Sequence, residues 1–149
     1  MFGVDDPATV AAVRAYVKLM RAQRGVVARL EPALAACALT LTQLGVLEAV
    51  LHLGPLPHRE LGRKLLTSPG NLTDVVDKLE KRGLVTRVRA EQDRRQVRVE
   101  LTEAGRALIE DIFPRHAADI AHAMGGLTLA ELETLGHLLR KLGTTDPGA

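Results

Sequence analysis

The sequence predicts a mostly α-helical fold carrying a single two-stranded antiparallel β-hairpin, and three observations predict it. Leu (25) and Ala (20) make up 45 of the 149 residues, and both are strong helix formers. Apolar residues recur at spacings of three and four through most of the chain. Between residues 84 and 101 that period changes to two, the alternation of a strand. At 149 residues the chain is long enough for one compact domain with a single core.

In order, the first segment reads as a helix from Pro7 to about Leu30. Val10, Val13, Val17, Met20, Val27 and Leu34 form its stripe, and Arg14, Lys18, Arg21 and Arg29 face away. Pro32 is expected to kink or end it near Ala28–Glu31. Thr42 reads as the N-cap of a second helix bearing Leu44, Leu47, Val50 and Leu51, stopped by Gly54-Pro55. A short helix from about His58 to Leu66 buries Leu61, Leu65 and Leu66. In the next helix Ser68 caps, Pro69 takes the first position, Leu72, Val75, Val76 and Leu79 turn inward, and Gly83 ends it.

Two strands follow, Leu84–Arg89 and Gln96–Leu101, joined by a charged tip. Thr102 opens a long helix that Pro114 bends, and Gly125-Gly126 breaks it. Thr128 and Glu131 form a capping box for a last helix with Leu132, Leu135, Leu138, Leu139 and Leu142. The tail from Gly143 is small and polar, with the composition of a frayed end.

Composition narrows the function classes. Three aromatic residues (Phe2, Tyr16, Phe113) are too few for base-stacking platforms on single strands. One cysteine excludes an internal disulfide and a multi-cysteine zinc site. The uncharged stretch from Pro32 up to Glu48 is too short and polar for a bilayer, and the N-terminus lacks a secretory pattern. A cytoplasmic protein without a membrane partner is expected. No glycine-rich phosphate loop, nucleophile elbow or paired-histidine helix is present, so no enzyme, cofactor or metal is expected. His116 and His122 are six apart, off a common helical face. They read, with His52 and His58, as exposed or capping histidines.

Charge is unevenly placed. The formal net charge is +2, yet residues 59–98 hold eleven basic and six acidic side chains, a net +5. The remainder nets −3. A basic middle within a mildly acidic chain suits a polyanion, although a solvated charged surface has the same composition.

Helix, helix, turn, helix and hairpin is the order of a winged helix-turn-helix. The Ser68–Gly83 helix, about 22 Å long at 1.5 Å per residue, can lie in a major groove. Beyond the capping Ser68, its outward positions are Gly70, Asn71, Thr73 and Asp74, followed by Asp77, Lys78 and Lys81. Of these, Ser68, Gly70, Asn71, Thr73, Asp74 and Lys78 are the candidate DNA contacts. Asn can pair with adenine and Thr can meet thymine, though Asn71 and Thr73 are equally ordinary helix-start residues. Asp93, Arg94 and Arg95 at the hairpin tip suit the adjacent minor groove, and Arg59, Lys64 and Lys81 suit phosphates.

Leu41-Thr42-Gln43, Val46-Leu47, Glu60-Leu61, LEKRGLVTR (79–87), Asp93-Arg94-Arg95 and LTEAG (101–105) together resemble the MarR family of bacterial transcription regulators. The motifs cover about residues 40–106. The resemblance implies a homodimeric repressor of double-stranded DNA, built as a winged helix with long N- and C-terminal dimerisation helices. It divides the chain into a DNA-binding lobe (41–102) and a helical dimerisation lobe (1–40 and 103–149). Val10, Val13, Val17, Leu132, Leu135 and Leu139 would meet a second copy. Asp93 would orient the wing and Arg95 would enter the minor groove with Arg94 beside it. Asp74 and Asp77 leave the reading helix nearly neutral, a departure that shifts phosphate attraction to flanking Arg and Lys. A small aromatic or phenolic effector is implied, with Tyr16 and His52 as pocket candidates. Some relatives sense oxidants through a cysteine. Cys37 sits among alanines without a basic neighbour and reads as a buried small hydrophobe. The rival reading is a winged helix used for protein–protein contact or assembly, without sequence-specific DNA binding.

Overall fold

The structure, a computed structural model, describes residues 6–65, 67–93 and 95–143. Six helices and three short strands follow in order: α1 Pro7–Ala36, α2 Leu41–Leu53, β1 Leu56–Pro57, α3 His58–Lys64, α4 Pro69–Lys81, β2 Val85–Arg89, β3 Val97–Leu101, α5 Glu103–Ala123 and α6 Leu129–Gly143.

The sheet has three strands rather than the two expected, in the order β1-β3-β2 and antiparallel throughout. Leu56 pairs with Val99 and Pro57 with Arg98, so the two-residue β1 covers the edge of β3. No period can reveal a strand of two residues. It exists only because β3 offers unpaired backbone groups beside it.

The core lies between α2, α4, the sheet and the first half of α5. Leu44, Leu47, Leu61, Leu72, Leu79, Val99 and Ile109 are among its fully buried members. α4 contributes Leu72, Val75, Val76 and Leu79, the face the sequence indicated.

Two helix ends differ from expectation. α1 runs through Pro32 to Ala36, because the turn beyond the proline carries Leu34 into the core and offsets the lost hydrogen bond. α2 starts at Leu41 with Thr40, not Thr42, as N-cap. The Thr40 hydroxyl accepts from the Gln43 N–H and the Gln43 side chain accepts from the Thr40 N–H. α5 continues through Pro114 to Ala123, just short of the expected break at Gly125-Gly126. α3 stops at Lys64, and Leu66 lies outside the described residues, as does the tail from residue 144.

α1 and α2 meet at an angle of 80°. The turn between them places Ala38 at φ 54°, a left-handed conformation unusual for a residue with a Cβ. α6 buries no residue at all. Val13 (52% exposed), Leu138 (54%) and Leu142 (59%) stand open on the terminal helices, and Val17 and Leu139 are exposed with them. Val10, Leu132 and Leu135 are half-buried. Such apolar surface at both ends of a chain is the kind a second subunit covers.

Candidate nucleic-acid interface

α4 begins as its sequence dictates. The Ser68 hydroxyl accepts from the Asn71 N–H at 3.2 Å, and Pro69 occupies the first turn, where its missing N–H is harmless. With its apolar stripe inward, Gly70, Asn71, Thr73, Asp74, Asp77, Lys78 and Lys81 are left exposed. A Cβ on Gly70 would meet nothing within 4 Å, so the start of α4 is open to an approaching surface.

The polar groups there are locally satisfied. The Asn71 Nδ2 donates to the Thr67 hydroxyl at 2.6 Å, and the Thr73 hydroxyl donates to the Pro69 carbonyl at 2.9 Å. Base contact would exchange these bonds for others of similar strength. Lys78 pairs with Asp74 at 3.0 Å, both well exposed, so its charge is offset within the helix.

The remaining α4 acids have a partner that sequence reasoning missed. Arg87 on β2 reaches Asp77 at 2.6 Å and Glu80 at 3.1 Å. Its backbone N–H also donates to Glu80 at 3.0 Å. Spacing on α4 was a partial signal, since residues 77 and 80 share a face. The partner became visible only once β2 folded back beside that face.

The wing turn is built by Asp93. Its Oδ1 accepts from the Arg95 N–H at 3.0 Å and its carbonyl accepts from the Gln96 N–H at 2.9 Å. This is an Asx-type turn, in which a short carboxylate stands in for a backbone carbonyl. Arg95 is exposed at the tip; Arg94 lies outside the described residues.

Between the wing, α3 and the start of α4 lies a cavity of about 630 Å³, lined by Arg59, Arg63 and Arg95 together with His58, Thr67 and Gln96. Burial holds the His58 imidazole below its ordinary value. The nearby Arg87 charge acts in the same sense, and Asp77 acts against both. Arg59, Lys64, Lys81 and Arg95 have no ion-pair partner among the described residues. The three acids of α4 are thus paired while these four cations stay available.

The other expected sites are scattered. Tyr16 is exposed on α1, and the His52 ring meets Phe113 of α5 edge-on at 5.0 Å between centroids. Neither lines the cavity above nor a smaller one of about 310 Å³ between α1 and α5. His116, expected exposed or capping, is instead buried (6% exposed) on α5 and lines that smaller cavity. It follows Ile109 and Ile112 on the α5 face turned toward the core. Cys37 also lines it, half-buried rather than buried, because it is the C-cap of α1 and not part of an inward face. On α2, burial raises the Glu48 carboxyl above its usual range, and the charges of His116 and His52 oppose the rise. Among the described residues no three His, Cys, Asp or Glu side chains are grouped to hold a metal ion.

Comparison with known proteins agrees with this geometry. Residues 39–97 match the MarR family. The chain is 34% identical to the HTH-type transcriptional regulator MhqR of Bacillus subtilis, over 91% of this chain and 93% of that protein. Among solved structures, a mutant MarR of E. coli complexed with operator DNA is similar at 26% identity and TM-score 0.80, covering 89% of this chain and 95% of that one. Bordetella bronchiseptica BpsR, whose DNA binding is regulated by 6-hydroxynicotinic acid, is similar at 28% identity and TM-score 0.79, covering 98% and 99%. A three-stranded winged head, a capped reading helix, a wing turned by Asp93 and a full-length relative together assign the chain to the MarR family of helix-turn-helix transcriptional regulators.

Proposed function

We propose that the chain is a ligand-responsive repressor that binds a pseudo-palindromic operator as a homodimer. The observation that carries this reading is the charge pattern of one face. Asp74, Asp77 and Glu80 are ion-paired, whereas Arg59, Lys64, Lys81 and Arg95 have no acidic partner among the described residues. A polyanion is attracted by what is left over.

In this reading residues 41–102 form the DNA-binding lobe, and residues 1–40 with 103–149 form the dimerisation lobe. Ser68, Gly70, Asn71, Thr73, Asp74 and Lys78 face the major groove. Asp93 shapes the wing that delivers Arg94 and Arg95 to the minor groove, and Arg59, Lys64 and Lys81 meet phosphates. Val10, Val13, Val17, Leu132, Leu135 and Leu139 pack against the second copy, setting the two reading helices about one DNA turn, roughly 34 Å, apart. The protein acts by binding rather than catalysis, in the cytoplasm. No single described helix is long and apolar enough to cross a membrane.

The effector is a small aromatic or phenolic molecule, held where the dimer helices meet the head near Tyr16 and His52. The regulation of BpsR by an aromatic acid supports an effector of this class. Selection of bound duplexes from a random pool at two salt concentrations tests the function. A palindromic consensus with affinity falling steeply in salt is expected. Absence of enrichment would favour the protein–protein reading.

A further inference from the structure

Among the described cations of the head, Arg87 is the one that bridges two carboxylates. It lies on β2 opposite Val99 of β3, with its side chain only 25% exposed, and extends toward α4 rather than outward. There it meets three successive positions of one helix face. Its Nη2 donates to Asp77 at 2.6 Å and stands 3.5 Å from the Thr73 carbonyl; its Nη1 donates to Glu80 at 3.1 Å. Residues 73, 77 and 80 span about 10 Å of helix, so a single planar fork grips nearly two turns.

Stability alone does not call for this arrangement. Half-exposed ion pairs contribute little to folding, and four buried side chains already seat α4 on the core. The fork adds orientation and charge. It fixes α4 relative to the strand that leads into the wing, and it withdraws two carboxylates from a face that meets a polyanion.

We propose that Arg87 is a positioning residue for sequence-specific DNA binding. By clamping Asp77 and Glu80, it sets the angle between α4 and the wing, so that one duplex engages both at once. The inference rests on the function proposed above. Without the clamp, α4 and Arg95 reach their grooves in a range of relative orientations, and operator preference falls more than general DNA affinity.

The test uses the full chain with its selected operator duplex and a random duplex of equal length, each at two salt concentrations. Wild type is compared with Arg87→Lys, Arg87→Gln and the triple variant Arg87→Gln, Asp77→Asn, Glu80→Gln. Arg87→Gln should weaken operator binding about tenfold or more and random-duplex binding less than about threefold. Arg87→Lys should restore only part of the preference, because an ammonium cannot span both carboxylates. The triple variant should recover random-duplex affinity but not preference. Should Arg87→Gln fail to fold, Arg87→Lys against wild type carries the same comparison.

Unchanged operator preference in the folded variants overturns the proposal. So does an equal loss on both duplexes with the log–log salt slope reduced by about 0.9, the mark of a direct phosphate contact. A wild-type protein that prefers no duplex overturns the function itself, a result separate from either.

Discussion

Gly105 of α5 lies directly against the main-chain carbonyl of Leu84: a Cβ placed on it would stand 1.8 Å from that oxygen. Thr102 holds the approach together. Its hydroxyl donates to the Gly83 carbonyl at 2.5 Å and accepts from the Gly105 N–H at 3.0 Å. Its own N–H donates to the Leu84 carbonyl at 3.1 Å. The Thr102–Gly105 spacing is therefore a joint between the end of α4 and the start of α5. Gly105→Ala should destabilise the fold by about 1–3 kcal/mol or more, since backbone rather than a flexible side chain must move. Urea unfolding midpoints check this, and a stability equal to wild type would refute the close approach.

Arg95→Ala should separate binding from folding. The Arg95 N–H closes the Asp93 turn and survives the substitution, while the exposed guanidinium does not. Operator binding should weaken by about 1–2 kcal/mol, near tenfold, with the melting temperature almost unchanged. Equal affinity in a mobility-shift titration would remove Arg95 from the interface.

Much of this interface was legible because its determinants are local. Ser68, Thr102 and the Thr128–Glu131 box were readable as caps, since capping requires particular side chains at fixed offsets. Thr40 was readable by the same rule: Gln43 follows it by three, and no Glu or Gln follows Thr42 at that distance. Pairing across long sequence distances was not legible. β1 depends on an edge of β3 more than forty residues away, the Arg87 clamp depends on how β2 returns past α4, and the burial of His116 depends on how α5 packs. Pro32 shows tertiary burial outweighing a local rule.

Leu139→Glu should break the proposed homodimer. A carboxylate on the exposed apolar face of α6 cannot be buried without a partner, so it opposes association while leaving the core untouched. Sedimentation velocity should show a monomer. Operator affinity should fall about a hundredfold or more, because two linked half-site contacts become one. A variant that remains dimeric would place the subunit contact elsewhere.

Glu48 should make stability depend on pH. In the unfolded chain its carboxyl titrates near 4.5; burial raises that value in the fold, against the charges of His116 and His52. Between the two values the folded state binds more protons than the unfolded one, so this group lowers stability as pH rises through that window. Glu48→Gln keeps the neutral form at every pH. It should exceed wild type in stability at about pH 7 and match it at about pH 4, read from urea midpoints. His58 acts in the opposite direction, its stabilising contribution being lost as pH falls below 6.5, and it cancels in the difference between the two proteins.

Two arginines fasten α1 to the rest of the molecule. Arg29 donates to the Ala123 carbonyl at the end of α5 at 2.9 Å. Arg82, at the C-cap of α4, donates to the Ala38 carbonyl at 2.5 Å. In mechanical terms α1 is a crank with two bearings, and the left-handed turn at Ala38 is its elbow. Turning the shaft carries the trailing end of α4 with it or breaks that bearing. Were α4 to seat on a duplex as proposed, the Arg82–Ala38 bond would tie the pitch of α1 to the placement of α4, and the tie would act in both directions.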